Sequence, residues 1–240
     1  MHAKPLPHVR CPLCPIRSFA LYGGLTEAQL AWSERYRSAQ YQLAAKNYLF
    51  RQGTLPGEVY TLFSGWVMLH RVLSGGRRQV LAIKLPGDLL GTQPEMFAPM
   101  LVSAQALNSV TVCAFKRWEF QDMVQQQPAL QERLLYFTRQ DLAQCESRLT
   151  ALGRKDALGR VASFLLDIYL RVQRYGSVRD GQSIAFPLTQ EIIGDALGLT
   201  LVHVNRTLRR LRELGLVEIN AHRLVIHNIV QLTALADTSN

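Results

Sequence analysis

Hydrophobic residues follow two different periods along the chain. From about residue 41 to residue 120 they form short alternating stretches, among them YTLFSGWVMLHRVL, RQVLAIKLPGDLLG and QALNSVTVCAFKR. Turn signals recur about every ten residues, the spacing of short antiparallel strands; they are Gly53, Pro56-Gly57, Ser64-Gly65, Gly75-Gly76 and Pro86-Gly87. This part of the chain is predicted to form a small β-sandwich or barrel.

A long helical pattern follows the strands. Over about residues 128–152, apolar side chains recur mostly at steps of three and four. Such a helix is long for one packed inside a single small domain, so we predict that it pairs with its copy in a second subunit. The residues predicted at this interface are Leu130, Leu134, Phe137, Leu142, Cys145 and Leu149. The alternative is burial against the chain's own β-domain.

Two shorter helical patterns lie near the C-terminus on either side of a glycine turn. Thr189 is placed to cap the first, in FPLTQEIIGDALG, and Thr200 the second, in LGLTLVHVNRTLRRLRELGLV. The second helix has an apolar stripe of Leu201, Val204, Leu208 and Leu211. Helix, short turn, helix is the order of a helix-turn-helix, and LVEINAHRLVIHN predicts two strands that form a wing.

The opposite face of the second helix is basic, and one hydrocarbon side chain stands among its polar groups. The residues on this face are Val202, His203, Asn205, Arg206, Arg209 and Arg210. The 240-residue chain has a net charge of +9 and a pI near 9.7, which favours a polyanionic partner. A solvated basic face would be the simpler interpretation of this helix alone, but the preceding helix and turn favour nucleic-acid binding.

Other features of the composition narrow the class of protein. No segment resembles a signal peptide or a membrane span, so we expect no membrane partner. Four cysteines are too few for a disulfide framework, and we therefore expect a cytoplasmic protein. No G-x-S-x-G, Walker or H-E-x-x-H motif occurs, so an enzyme is not expected. The competing class is a thiol or metal protein centred on the C-x-x-C of HVRCPLCP.

Together these motifs resemble the Crp/Fnr family of bacterial transcription regulators. The resemblance is carried by FRQGTLPGEVYTLFSGWV, LPGDLLG, the long helix and LTQEIIGDALGLTLVHVNRTLRRLRELGLV. It implies an α+β chain with an N-terminal cyclic-nucleotide-binding-like β-roll (a jelly-roll), a long dimerisation helix and a C-terminal winged helix-turn-helix. The expected boundaries are residues 1–22 for a cysteine-containing tail, 23–127 for the roll, 128–153 for the helix and 154–240 for the DNA-binding domain.

The resemblance also implies partners and residue roles. The partners are a second copy of the chain, a palindromic promoter and RNA polymerase. Arg206 matches the family's base-reading arginine, which contacts guanine O6 and N7. Asn205 would address adenine or a phosphate and His203 a phosphate or base edge, while Arg209, Arg210, Thr189 and Thr200 would address phosphates. Val202 stands where members commonly have Glu, so we predict that it contacts a thymine methyl group.

The signal sensed by the roll is less well defined by the sequence. Cyclic-nucleotide-binding members have an Arg-Ser/Thr-Ala sequence where this chain has Val102-Ser103-Ala104. A buried phosphate without a guanidinium would be poorly compensated, so cyclic nucleotide is not expected. In this respect the chain is closer to the Fnr/FixK-like branch than to the cyclic-AMP receptor.

The oxygen-sensing branch holds an iron–sulfur cluster with three N-terminal cysteines and one from the roll. Cys11, Cys14 and Cys113 match three of these ligands, but Ala20 stands at the spacing of the remaining one. His8 could complete a mixed site. Three interpretations stay open: a cluster or other metal at these cysteines, reversible thiol oxidation, or a mobile tail carrying Cys11 and Cys14 above an ordinary buried Cys113.

Overall fold

The computed structural model describes residues 3–55, 57–95, 97–176 and 181–237. Pro56, which belongs to one of the predicted turns, lies outside these residues. The chain divides into two compact units, Met1–Gln140 and Asp141–Asn240. None of the described helices is long and apolar enough to cross a membrane.

The described residues of the first unit form two antiparallel sheets. The strands are β1 Lys4–Pro5, β2 Arg37–Leu43, β3 Tyr48–Phe50, β4 Glu58–Ser64, β5 Val67–Val72, β6 Arg78–Lys84, β7 Leu89–Leu90, β8 Ser103–Ala106 and β9 Val110–Lys116. One sheet has the order β1-β2-β9-β4-β7 and the other β3-β8-β5-β6. Residues from both sheets, including Leu43, Leu62, Val67 and Val112, share one buried cluster. The predicted β-roll is confirmed.

A second core covers the outer side of β9. It includes residues of α1 (Glu27–Glu34), α2 (Arg117–Gln126) and the first turns of α3 (Pro128–Arg154). β9 contributes to both cores because its side chains alternate in direction: Val112 and Ala114 belong to the inner cluster, and Cys113 and Phe115 to the outer one. This double burial explains why VTVCAF is almost continuously apolar.

The N-terminal segment belongs to this outer core. β1 pairs with β2, and a 3₁₀ helix spans Cys11–Leu13. Cys11, Ile16, Leu21 and Tyr22 are each no more than 8% exposed. The interpretation that Cys11 and Cys14 lie in a mobile tail is therefore wrong, because the apolar side chains of this segment cover the outer face of β9, which water would otherwise reach.

The predicted interface residues of α3 fall into a buried group and an exposed group. Leu130 and Phe137 are 0% and 7% exposed, and Leu134 packs against the same outer core. The prediction that Leu130 and Phe137 face a partner is wrong, because their own unit covers them. Leu142 and Leu149, by contrast, are 57% and 64% exposed. Cys145 is also exposed within the chain.

The second unit is the predicted winged helix-turn-helix. Its elements after α3 are α4 Ala157–Tyr175, β10 Ile184–Ala185, α5 Gln190–Leu197, α6 Leu201–Glu213, β11 Val217–Asn220, β12 Arg223–Ile226 and α7 Ile229–Asp237. The strands pair in the order β10-β12-β11. Ala221 and His222 join β11 to β12 with φ of 46° and 60°, the left-handed backbone of a two-residue hairpin turn.

Candidate nucleic-acid interface

Side-chain caps and a glycine fix the geometry of α5 and α6. Thr189 Oγ1 accepts a hydrogen bond from Ile192 N, and Thr200 Oγ1 accepts one from His203 N, each at 3.3 Å. Gly198 ends α5 with φ of 64°, a conformation in which a Cβ atom would be strained. The capping roles predicted for both threonines are confirmed, and they fix where each helix begins.

α6 buries one face and exposes the other. Its buried residues are Val204, Thr207, Leu208 and Leu211. Val202 is 78% exposed; His203 is half-buried, and Asn205, Arg206, Arg209 and Arg210 are exposed. Leu201, expected in the buried stripe, is 57% exposed because it is the first residue of the helix. Thr207 takes a buried place instead, and its hydroxyl donates to His203 O at 2.8 Å.

Neighbouring side chains already hold several polar groups of this face. Arg209 Nε donates to Glu213 Oε1 at 2.9 Å, and Arg210 Nη1 lies 3.9 Å from Glu213 Oε2. Asn205 Nδ2 donates to Gln190 Oε1 at 3.3 Å. Arg206 makes no side-chain hydrogen bond or ion pair within the described part of the chain. Its guanidinium is therefore available to a ligand without breaking an internal contact.

Sequence reasoning had not selected Gln190 or Glu213. The spacing of Glu213 from Arg209 and Arg210, at four and three residues, is a usable signal for helical ion pairs. Gln190 carries no such signal, because its contact joins two different helices. The structure thus shows that one carboxylate, that of Glu213, contacts both Arg209 and Arg210, which are predicted to bind phosphates.

An open groove borders the basic face. It has a volume of about 630 Å³ and is lined by Arg206, Arg209, Arg210 and Glu213 of α6, together with Asp156 and the first turn of α4. Three arginines around an open groove suit an extended polyanion, because backbone phosphates are contacted from the surface of a protein.

The three predicted cysteines approach one another in the first unit. Cys11 and Cys113 are 5% and 9% exposed, and Cys14 is half-buried. Arg37 Nη1 lies 3.5 Å from the Cys11 sulfur, and Gln40 Nε2 lies 3.8 Å from the Cys113 sulfur. All three cysteines line one small cavity of about 30 Å³.

These thiols do not fit an iron–sulfur cluster. Burial raises the pKa of Cys11 to about 12, although the nearby Arg37 opposes the shift. Burial also raises the pKa of Cys14 and of Cys113. Across residues 3–237, apart from the gaps noted above, no three His, Cys, Asp or Glu side chains are grouped so as to hold a metal ion, and the exposed His8 does not complete such a site.

The stretch after β7 offers no cation of its own for a cyclic phosphate. Residues 92–106 contain neither Lys nor Arg. Gln93 organises this stretch, since its amide nitrogen donates to Ala98 O at 2.7 Å and its oxygen accepts from Leu101 N at 3.3 Å. The Ser103 hydroxyl accepts from Gln52 N at 2.9 Å.

Known proteins match both units. A Crp-like helix-turn-helix domain matches residues 159–235, and a cyclic nucleotide-binding domain matches residues 41–127. The transcriptional activatory protein AadR of Rhodopseudomonas palustris is 32% identical over 86% of this chain and 84% of its own length. The nitrogen fixation regulation protein FixK of Bradyrhizobium diazoefficiens is 29% identical over 94% and 93%.

A solved structure leads to the same family. FixK2 from Bradyrhizobium japonicum superposes with a TM-score of 0.74 at 28% identity, covering 84% of this chain and 98% of that chain. The cyclic nucleotide-binding domain precedes the helix-turn-helix domain in this chain, which is the order predicted from the sequence. The chain belongs to the Crp/Fnr family of transcription regulators.

Proposed function

We propose that the protein is a homodimer that binds a two-fold symmetric promoter site through α6 and regulates transcription without a cyclic nucleotide. The observation that carries the proposal is the exposed face of α6, where Val202, Asn205 and Arg206 stand beside two further arginines. In a helix-turn-helix this face enters the major groove. RNA polymerase is the second macromolecular partner of a regulator acting at promoters.

The contacts divide into those that read bases and those that bind phosphates. Arg206, whose side chain has no partner among the described residues, is assigned to guanine. Asn205 and His203 are assigned to a base edge or a phosphate. Arg209 and Arg210 are assigned to phosphates. On binding DNA, each would replace its contact with the Glu213 carboxylate by a contact with a phosphate. Each hydroxyl of Thr189 and Thr200 accepts an N–H and keeps its own hydrogen to donate to a phosphate.

Dimerisation is assigned to the exposed residues of α3. Leu135, Leu142 and Leu149 are seven residues apart and 49%, 57% and 64% exposed. Cys145 lies three residues after Leu142, so the spacing is that of a coiled-coil seam. Two-fold pairing would place the two α6 helices in successive major grooves, for half-sites about 10–10.5 base pairs apart.

The direct test of the proposed DNA face is the half-site selected by Val202→Glu. A valine contacts the thymine methyl group, whereas a glutamate accepts from cytosine N4, so the preferred pair at the facing position should change from T·A to C·G. Binding-site selection from a random library measures both preferences. Leu214→Glu adds the same charge at an exposed site after the end of α6 and should keep the wild-type half-site. If Val202→Glu and wild type select identical half-sites, Val202 does not contact a base in the major groove.

For the sensor we propose a structural role for Cys11 and Cys113 and no metal. Cys11→Ser should destabilise the first unit by about 1–3 kcal/mol, because it places a hydroxyl in an apolar site. Urea unfolding followed by tryptophan fluorescence measures this, since Trp32, Trp66 and Trp118 are the chain's only tryptophans and all lie in that unit. Ala28→Ser, which adds a hydroxyl at an exposed position of α1 in the same unit, is the matched control. A stable Cys11→Ser protein that has lost iron or zinc found in anaerobic wild type would restore the metal interpretation.

A further inference from the structure

Arg148 of α3 lies where three helices of the second unit meet. Its Nη2 lies 3.9 Å from Asp167 Oδ2 of α4. A cavity of about 30 Å³ at this point is lined by both residues and by Ala196 and Leu197, the last two residues of α5. α4 in turn packs against α5 and α6. The Arg148 side chain therefore joins the helix that carries the proposed dimer seam to the helices that form the DNA face.

The C-terminal half of α3 has two different faces. Leu142, Cys145 and Leu149 are exposed and belong to the proposed seam. Arg148 has only 22% of its side chain exposed, and Ala151 is buried; both line the cavity shared with α4 and α5. At 3.6 residues per turn, these two sets point in different directions. Pairing of α3 through the seam would therefore leave the contact between Arg148 and Asp167 in place.

The Asp167 carboxylate contacts two arginines. Besides Arg148 Nη2, its Oδ2 lies 3.9 Å from Arg171 Nη1, one turn further along α4. Burial lowers the pKa of Arg148, and the charge of Asp167 opposes this shift. A pair that is partly removed from water is screened by salt less than an exposed pair. Asp167 is itself one-third exposed and keeps its contact with Arg171, so the fold should tolerate the loss of Arg148.

The contact lies far from the link between its two helices. Only Lys155 and Asp156 separate α3 from α4, and Lys155 Nζ donates to Ser163 Oγ at 2.9 Å from the link itself. Arg148 stands about 10 Å before the link and Asp167 about 15 Å after it, at 1.5 Å per residue. A contact at that distance restricts the angle between the helices more than a contact made from the link.

We propose that Arg148 is a positioning residue: through Asp167 it holds the DNA-binding helices in one orientation on the dimer seam and so sets the half-site spacing that the dimer accepts. The inference rests on the proposed function, because spacing has a meaning only for a dimer on two half-sites. Two α6 helices reach successive major grooves only if each keeps a fixed direction from the two-fold axis. Without the contact, each DNA face would still bind its half-site but would be oriented less strictly.

The test measures the affinity of the full chain for three kinds of DNA by fluorescence anisotropy. They are a palindrome with the spacing that wild type selects, palindromes with one base pair inserted or removed, and a single half-site. Arg148→Met removes the ion pair but keeps an apolar side chain of similar length. It should lower affinity for the selected spacing about tenfold and reduce the discrimination between spacings from about 10–100-fold to less than about threefold.

Two further measurements show whether orientation is what changes. The affinity of Arg148→Met for the half-site should equal that of wild type, and sedimentation velocity should show the same dimer. Discrimination between spacings as strong as in wild type would overturn the proposal. An equal loss of affinity on the half-site, or a monomeric protein, would also overturn it, because Arg148 would then support the DNA face or the seam itself.

Asp167→Asn tests the same contact from α4, and it remains available if Arg148→Met does not fold. It should relax the spacing preference in the same direction. The double variant should lose no more than Asp167→Asn alone, because the two residues act through one contact. Additive losses, or unchanged discrimination in Asp167→Asn, would refute the proposal.

Arg154→Met is the matched control, since it removes the same charge from an exposed position at the end of α3. It should keep the wild-type discrimination between spacings. Relaxed discrimination in this variant as well would assign the effect to net charge and overturn the role of Arg148.

The half-site separates this inference from the proposed function. Wild type that binds no half-site specifically, or that binds the palindrome no better than the half-site, would refute the proposed function and the inference with it. Wild type with a spacing preference that survives in Arg148→Met would refute only the role of Arg148.

Discussion

Leu142→Glu is expected to convert dimers to monomers and to lower promoter affinity by about 10²–10⁴-fold, the advantage that two linked half-site contacts give over one. Leu142 is 57% exposed in the single chain and stands midway between Leu135 and Leu149 on the proposed seam. Pairing would bury two carboxylates, one from each subunit, against apolar side chains and against each other. The monomer keeps its DNA face, so affinity for an isolated half-site should be unchanged.

Sedimentation velocity and fluorescence anisotropy on palindromic and half-site DNA measure the two consequences together. The matched control is Ala143→Glu, which adds the same charge at the next, exposed residue of α3 but off the heptad spacing. It should remain dimeric and bind the palindrome as wild type does. A fully dimeric Leu142→Glu protein would show that α3 does not form the subunit contact.

The helix-turn-helix could be predicted because its determinants are local. Thr189 and Thr200 cap helices by contacts to residues three positions later, and Gly198 supplies the left-handed residue that the turn needs. Each of these signals is read from a few neighbouring letters. The same is true of the period of α6, which separates its buried and exposed faces apart from the first residue.

The N-terminal segment and the start of α3 could not be predicted from local signals. Cys11 and Leu130 are buried by the outer side of β9, and that surface exists only after strands distant in sequence have paired. An apolar stripe on a helix shows that something covers it, but not whether the cover is its own domain or a second subunit. Exposure in the folded chain separates Leu130 from Leu142, which the periodicity treats alike.

Arg206→Ala and Arg210→Ala should separate base reading from phosphate binding. The Arg206 side chain has no partner in the part of the chain that the structure describes. Its removal should therefore cost about 1–3 kcal/mol per half-site on the cognate sequence, and a symmetric dimer loses the contact twice. Preference for one guanine should relax, while affinity for random DNA should change much less. Arg210→Ala should weaken binding to cognate and random DNA alike, and it should lower the slope of log affinity against log salt concentration by about one per lost contact.

Anisotropy titrations over a range of NaCl concentrations, on cognate, guanine-substituted and random duplexes, measure both variants. A variant of Glu213 makes the comparison sharper. In wild type the Glu213 carboxylate lies 3.9 Å from Arg210, so Arg210 must leave this carboxylate before it can bind a phosphate. Glu213→Gln should therefore strengthen binding to cognate and random DNA equally and leave the guanine preference intact. Equal losses on cognate and random DNA for Arg206→Ala would assign Arg206 to a phosphate, and the base reading of α6 would then have to come from Asn205 and Val202.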